Sequence, residues 1–142
     1  MASAITCIEC GKKSMRLVQD RYASDIKHDG RTYRVDIPLL EHYRCDDCPK
    51  SRVLTDAADE AVGWELRRMA KLLLPQQIRD IRKKFGLSQK QLAELLGIGE
   101  ATLCRWETGT QIQQRAFDKM LRAYLNVPAF QQYLQEVIGV GS

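Results

Sequence analysis

The sequence predicts an α+β protein in which a small cysteine-rich β-ribbon precedes a helical half. Two Cys-x-x-Cys pairs and all of the strand-like alternation lie in residues 1–54, whereas the apolar positions after that point recur at helical spacing. A chain of 142 residues has room for two small domains. We therefore expect a cysteine-rich domain at 1–54, a connecting helix at 55–75 and a helical domain at 76–142.

The two cysteine pairs have the spacing of a metal site. Cys7 and Cys10 form one pair, and Cys45 and Cys48 form the other after a gap of 34 residues. Each two-residue gap lets one turn present two thiolates, and two such turns complete the tetrahedral shell that Zn²⁺ prefers. Disulfides or a free redox pair are the alternatives, but residues 1–20 contain no apolar signal segment and a reducing cytosol disfavours disulfides. We predict one structural zinc ion bound by all four cysteines.

The residues around the cysteines refine this prediction. Gly11 follows the first pair and can adopt the left-handed conformation of a tight turn. Pro49 follows the second pair and cannot adopt a positive φ, so the second turn should be less regular. His28 and His42 are possible replacement ligands, although the cysteine set is already complete. A segment of about 54 residues is marginal on its apolar core alone, and bound zinc would stabilise it.

A β-hairpin is predicted between the cysteine pairs. Residues 32–37 alternate polar and apolar side chains, which predicts a half-buried strand. Asp29 and Gly30 form a turn signal just before it, so a first strand should run back towards Tyr22. Pro38 cannot donate to a ladder and is expected to end the second strand, with a further short strand before the second cysteine pair. The exposed edges of such a sheet can accept a strand from a partner.

The connecting helix is predicted from its cap and its apolar stripe. Thr55 and Asp56 form an N-terminal cap, and apolar residues follow at helical spacing from Ala58 to Leu73. Acidic side chains come early and basic ones late, as the helix dipole prefers. Pro75 should stop the helix or start the next one. The segment is either a simple spacer or a rigid arm.

Three further helices are predicted from residue 77 onward. Ser88 and Gln91 form a capping box that opens the second of them, and residues 97–99 read as a glycine turn. Leu103 and Trp106 lie three apart in the third helix and must face the core. The side chains left facing outward include Glu100, Ala101, Thr102 and Arg105.

Residues 87–98 and 103–109 together resemble the Cro/Xre-type helix-turn-helix family. The resemblance implies sequence-specific binding of double-stranded DNA. Arg105 is the main reader on chemical grounds, because a guanidinium pairs with guanine O6 and N7 through two hydrogen bonds. Arg79, Arg82, Lys83, Lys84 and Lys90 are candidate phosphate contacts, with a solvated face as the alternative. The predicted DNA-binding residues are Gln89, Lys90, Glu100, Ala101, Thr102 and Arg105.

The remaining residues bear on assembly. Apolar positions in residues 116–138 exceed what a three-helix core needs, which suggests a homodimer through the helical domain or else a larger monomer core. A two-fold dimer would read a palindromic operator with half-sites about 34–36 Å apart. Cys104 is a lone cysteine, for which packing is favoured over redox chemistry. The formal charge of +4 is compatible with nucleic acid without requiring it, and no apolar run is long enough to span a membrane.

The order of the two halves is similar to that of the MqsA family of antitoxins, in which a four-cysteine zinc domain precedes an Xre-type helix-turn-helix. That resemblance implies that the first domain binds a protein toxin, typically a ribonuclease, and that the second represses the shared operon in the bacterial cytoplasm, at the nucleoid. Ala101 departs from the asparagine that the best-known members carry at this position. The alternative is a zinc-ribbon transcription factor with no toxin partner. An enzyme is not expected, because no His-Glu-x-x-His or comparable open metal site is present.

Overall fold

The computed structural model describes residues 5–48 and 51–138 of the chain. The chain divides into two compact units, Met1–Leu66 and Arg67–Ser142, and the boundary falls inside a helix. Strands precede helices, which confirms the predicted α+β class. The elements are β1 (Met15–His28), β2 (Arg31–Cys45), β3 (Arg52–Leu54), α1 (Asp56–Ala70), α2 (Pro75–Lys84), α3 (Gln89–Leu96), α4 (Glu100–Thr108), α5 (Arg115–Asn126) and α6 (Pro128–Ile138).

The first unit is built on an antiparallel sheet with strand order β1-β2-β3. The turn between β1 and β2 has φ values of 52° at Asp29 and 76° at Gly30, the two positive angles that a type I′ hairpin turn requires. Val35 is fully buried, and the exposed residues on either side of it in β2 keep the predicted alternation. The hairpin predicted from the turn signal is therefore confirmed.

The hairpin is longer than the sequence suggested. β1 begins at Met15, well before Tyr22, and β2 runs through Pro38 instead of ending there. The register shifts at this point, so that Pro38 and Leu39 lie opposite the single residue Arg21. A bulge leaves such residues outside the ladder, so the missing N–H of proline costs no cross-strand hydrogen bond. The prediction that Pro38 ends the strand was wrong for this reason.

Helix α1 also ends earlier than predicted. Its last residue is Ala70, and Lys71 adopts the left-handed conformation with φ 57°. The Lys71 N–H donates to the Arg68 carbonyl at 3.2 Å, and the Leu72 N–H donates to the Arg67 carbonyl at 2.9 Å. These two bonds form the Schellman closure that usually has glycine at the left-handed position. The chain therefore leaves the helix before the proline is reached.

The predicted helix caps are present. Thr55 Oγ1 accepts from the Ala58 N–H at 3.1 Å. Ser88 Oγ accepts from the Gln91 N–H at 3.1 Å, while Gln91 Oε1 accepts from the Ser88 N–H at 2.9 Å, which completes the capping box. Gly97 ends α3 in the left-handed conformation with φ 73°. The start and end of α3 thus follow from local sequence.

The second unit has one apolar core to which α2 through α6 all contribute. Trp106 and Leu103 of α4 are fully buried, as their spacing predicted. The Trp106 ring lies 5.4 Å from the Phe117 ring of α5, measured between centroids. Burial of one side of α4 against this core leaves the opposite side for another role. None of the helices in the described ranges is long and apolar enough to cross a membrane.

Candidate metal centre and nucleic-acid interface

Three of the predicted metal ligands come together in the first unit. The Sγ atoms of Cys7, Cys10 and Cys45 all lie within 4.8 Å of one another, and Cys10 Sγ is 3.6 Å from Cys45 Sγ. A tetrahedral ion with metal–sulfur bonds of about 2.3 Å would hold its sulfurs about 3.8 Å apart. A disulfide requires about 2.05 Å, and all five cysteines are free thiols. The three side chains could therefore hold a metal ion.

The backbone around the first pair explains how two sulfurs reach one point. The Gly11 N–H donates to the Cys7 carbonyl at 2.8 Å, and the Cys7 N–H donates to the Lys12 carbonyl at 2.8 Å. Gly11 has φ 73°, the left-handed conformation expected at this turn. The turn folds Cys10 back beside Cys7, which is what the two-residue gap is suited to do.

Only one cysteine of the second pair, Cys45, belongs to the group of three sulfurs. Cys48 packs against the buried cluster of Cys7, Met15 and Cys45, but its Sγ is not in the group that lies within 4.8 Å. The Ser51 N–H donates to the Cys48 carbonyl at 3.1 Å, which closes the turn on the far side. Cys48 as the fourth ligand stays a prediction. The irregularity predicted at Pro49 concerns a residue outside the described ranges.

The thiols in this cluster differ in acidity. The pKa of Cys7 is lowered to about 6, mainly because the Ser51 side chain hydrogen-bonds to its sulfur. The pKa of Cys45 is raised to about 11, mainly because burial disfavours the thiolate. A metal ion would replace the proton that Cys45 keeps at neutral pH, since the thiolate is the binding form. The donor set, which is sulfur only, fits a soft or borderline cation such as zinc.

The histidines are not placed as ligands. His42 is fully buried, with Nδ1 2.8 Å from the Leu40 carbonyl and Nε2 2.7 Å from Nη1 of Arg52. A guanidinium can only donate, so Nε2 accepts and Nδ1–H donates to the carbonyl. His28 is at the turn end of β1. In the described part of the chain, the three cysteines are the one group with metal-ligand geometry, and neither histidine belongs to it.

Helix α4 presents one buried and one exposed face. The buried positions are Leu103, Trp106 and Glu107. Four of the six side chains assigned to DNA from the sequence belong to α4, and they lie largely on its other side. Glu100, Ala101 and Arg105 are exposed, and Thr102 is half-buried.

Cys104 lies on the exposed face of α4. The sequence favoured packing for this residue, and that prediction was wrong. Because Leu103 and Trp106 point into the core, the position between them on the helix turns outward. Cys104 is therefore next to Arg105 on the surface proposed for DNA.

A buried ion pair fastens α4 to α2. Glu107 is 1% exposed, and its carboxylate accepts from Arg82 Nε at 3.0 Å and from Arg82 Nη2 at 2.9 Å. Gln89 Nε2 lies 3.5 Å from the same carboxylate. Arg82 also donates to the Leu87 carbonyl at 3.1 Å. Its guanidinium is used inside the protein, which disfavours the phosphate contact that the charge pattern had suggested.

The other four candidate phosphate contacts divide in the same way. Arg79 donates to the Glu107 carbonyl at 2.8 Å and to Gln76 Oε1 at 2.5 Å. Arg79 therefore fastens α2 to the end of α4. Lys83, Lys84 and Lys90 are exposed.

Arg67 is a buried cation that the sequence did not reveal. It is 1% exposed, and its Nη2 lies 3.4 Å from the Gly109 carbonyl and 3.3 Å from the Gln111 carbonyl. Its pKa is lowered because burial disfavours the charged form. These contacts hold the loop that follows α4. In the sequence Arg67 was only one of several late basic residues of α1, so no signal marked it.

Asp118 is a second buried group that sequence reasoning missed. Its Oδ1 accepts from the Leu73 N–H at 2.8 Å and from Gln113 Nε2 at 3.1 Å, and its Oδ2 accepts from Arg122 Nε at 2.8 Å. Gln113 also donates to the Leu73 carbonyl at 2.9 Å. Together these bonds tie the segment between α1 and α2 to α5.

The comparisons with known proteins concern the second unit. Residues 78–128 match the model of a helix-turn-helix family, a span of 51 residues that contains α3 and α4. No curated protein matches the chain. The match supports a DNA-binding transcription regulator that acts on double-stranded DNA, a class of protein that is typically not enzymatic.

Proposed function

We propose that the protein is a transcriptional repressor and the antitoxin of a type II toxin–antitoxin system, with the second unit binding operator DNA and the first unit binding a toxin. The observation that carries the DNA part is the exposed face of α4 inside the helix-turn-helix match. The order of a cysteine-clustered hairpin followed by this motif supports the antitoxin part. The protein acts in the bacterial cytoplasm, at the nucleoid, and is not an enzyme.

Arg105 is the proposed reader of sequence. It is exposed on α4, and the helix below it is fixed by the Glu107–Arg82 ion pair. A fixed helix keeps the guanidinium oriented for two hydrogen bonds to one guanine. Glu100, Ala101 and Thr102 complete the face, and Gln89 and Lys90 at the start of α3 are the proposed contacts to the phosphate backbone.

The test compares Arg105→Ala with Lys83→Ala on two duplexes, one from the promoter of the protein's own gene and one of random sequence. Arg105→Ala should cost about 1–3 kcal/mol on the promoter duplex and little on the random one, because a base contact is lost. Lys83→Ala should weaken both equally, because a phosphate contact is lost. Fluorescence anisotropy gives the four affinities. An equal loss on both duplexes for Arg105→Ala would remove it as the reader.

A homodimer through the second unit is part of the proposal. Leu134 is buried in the core and Phe130 packs against it, but Tyr133 is 59% exposed and Val137 is 64% exposed on the same helix. Two large apolar side chains four residues apart form one stripe on α6, which a second copy would cover. Val137→Glu should convert a dimer to a monomer in sedimentation experiments. Val53→Glu, at an apolar residue of the first unit that is 41% exposed, is the control that should not.

The proposed role of the metal is to hold the first unit together. Cys7, Cys10 and Cys45 would bind Zn²⁺, with Cys48 as the fourth ligand. A shell of four thiolates leaves no open position for water or substrate, so the ion would do no chemistry.

The proposed toxin-binding surface is the hairpin. β3 pairs with β2 only at residues 42–44, and Ile5 bridges to β1 only at Met15. The rest of β1 and the distal part of β2 therefore keep open edges in the described sheet. Leu39 is 66% exposed beside the bulge. Open edges and an exposed apolar side chain are what a protein partner would cover.

Co-expression with the product of the adjacent gene tests the antitoxin role. We expect the full chain to co-purify with that product and to neutralise its toxicity, and Leu39→Asp to weaken the complex. Arg105→Ala is the matched control that should leave the complex intact. If the neighbouring product neither binds nor is neutralised while DNA binding persists, the protein is a zinc-ribbon transcription factor with no toxin partner.

A further inference from the structure

A basic pocket lies between the end of α1 and helix α5, within the second unit. Its volume is about 260 Å³, and four cationic side chains line it together with one carboxylate. The cations are Lys71, Arg115, Lys119 and Arg122, and the carboxylate is Asp118. Four positive charges against one negative charge leave a formal net charge of +3 around the cavity.

The one carboxylate in the pocket is satisfied from the protein interior. Asp118 is 4% exposed and accepts hydrogen bonds from Leu73, Gln113 and Arg122. Arg122 reaches further, because its Nη2 donates to the Lys71 carbonyl at 2.9 Å. Arg122 therefore joins the two walls of the pocket.

The lysines of the pocket are available to a ligand. Lys71 and Lys119 are both exposed, and neither has an ion-pair partner within residues 5–48 and 51–138. The Schellman closure of α1 sets the backbone of Lys71 at φ 57°, which fixes the point from which its side chain leaves the main chain.

We propose that this pocket binds a phosphate group. A phosphate monoester carries a charge near −2 at neutral pH, which suits a site of net charge +3 better than a single carboxylate would. Lysine and arginine donors together are the usual partners of phosphate oxygens. The cavity of about 260 Å³ is also large enough for part of the molecule that carries the phosphate. The pocket contains none of the residues assigned above to DNA reading.

The phosphate could belong to a small phosphorylated ligand or to the backbone of bound DNA. In the second case the inference rests on the proposed DNA-binding function. Lys71→Asn and Lys119→Gln remove the two lysine charges without changing Arg122 or Asp118. Asparagine is chosen at position 71 because it tolerates the left-handed backbone conformation. Lys27→Gln, at an exposed lysine of β1 in the first unit, is the matched control.

The small-ligand test titrates the full-length protein with inorganic phosphate, pyrophosphate and acetate, followed by amide chemical shifts. Saturable shifts with phosphate or pyrophosphate are expected near residues 71–72 and 115–119, with weaker shifts for acetate. The double variant Lys71→Asn/Lys119→Gln should weaken the binding by about tenfold or more, because hydrogen bonds from charged donors are lost. Lys27→Gln should leave it unchanged. A similar loss with Lys27→Gln would overturn the proposal, because it would show only a general effect of charge.

The DNA test measures the salt dependence of binding to a random duplex. If the phosphate belongs to DNA, each pocket substitution should reduce the slope of log affinity against log salt by about one. This result without saturable phosphate binding identifies DNA as the source. Unchanged slopes together with no pocket-dependent binding of phosphate or pyrophosphate would overturn the proposal. If the wild-type protein bound no DNA, the operator function would fail while the phosphate titration would still decide the pocket.

Discussion

The buried pair Arg82–Glu107 allows a quantitative prediction about the second unit. The side chain of Glu107 is 1% exposed and that of Arg82 is 17% exposed. Removal of one partner from a buried pair costs about 3–5 kcal/mol, because the other charge stays buried without compensation. Arg82→Met leaves the more deeply buried charge and should reach that range. Glu107→Gln keeps the shape of the side chain and leaves a guanidinium that water can partly reach, so it should cost about 1.5–3 kcal/mol.

The double variant Arg82→Met/Glu107→Leu separates the pair from the packing around it. When both charges are replaced by apolar groups of similar volume, stability often stays close to that of the wild type. The double variant should therefore be more stable than Arg82→Met alone, with a coupling energy of about 2 kcal/mol or more. Urea denaturation supplies the free energies, with Trp106 as the fluorescent reporter because it is fully buried in this core. A Trp64→Phe background removes the signal of the other tryptophan, which is 39% exposed.

Two results would refute this reasoning. A cost below about 1 kcal/mol for Arg82→Met would place the pair in the energy range of exposed ion pairs. Additive losses in the double variant would show that the two side chains act independently. Glu107→Gln is the milder variant and keeps the test informative, since a loss of 5 kcal/mol is comparable with the whole stability of a small domain, about 5–15 kcal/mol.

Three further predictions concern single positions. Gly30→Ala should destabilise the hairpin by about 1–2 kcal/mol, measured by thermal unfolding followed by far-ultraviolet circular dichroism. Gly30 has φ 76°, and no atom lies within 4 Å of an added Cβ, so backbone strain is the main cost. No loss would contradict the turn geometry. Lys71→Gly should raise the free energy of unfolding by up to about 1 kcal/mol in urea denaturation, because φ 57° strains a lysine. A lower urea midpoint for the variant would contradict this. Cys45→Ser should lower bound zinc well below one ion per chain by metal analysis, with Cys104→Ser as the control that retains it. Equal zinc contents in the two variants would exclude the cysteine cluster as the site.

Features that depend on a few neighbouring residues could be predicted from the sequence. The hairpin turn follows from Asp29 and Gly30, whose positive φ angles are the ones that a type I′ turn demands. The start of α3 follows from the reciprocal bonds of Ser88 and Gln91, and its end from Gly97. The close approach of the cysteines also has a local cause in part, because one turn brings Cys10 beside Cys7.

Features that depend on distant pairs could not be predicted in this way. Arg82 and Glu107 are separated by 25 positions, and Leu73 and Asp118 by 45. Sequence spacing shows that such residues carry charge or hydrogen-bond donors but not whether they meet. The bulge at Pro38 is similar, because its position depends on the register that the partner strand adopts. A buried cation such as Arg67 therefore looks like an ordinary surface residue until the fold is known.

The division of cations in the second unit changes what DNA binding should look like. Arg82 is inside the protein, while Lys83, Lys84 and Lys90 are exposed. A lysine that meets a phosphate contributes about 0.9 to the slope of log affinity against log salt, whereas an internal arginine contributes to affinity only by holding α4 in place. Arg82→Met should therefore weaken promoter binding by the same factor at every salt concentration at which the protein stays folded. Lys83→Ala should instead weaken it most at low salt. A flatter salt dependence for Arg82→Met would mean that the guanidinium reaches the DNA and that the internal ion pair opens when DNA binds.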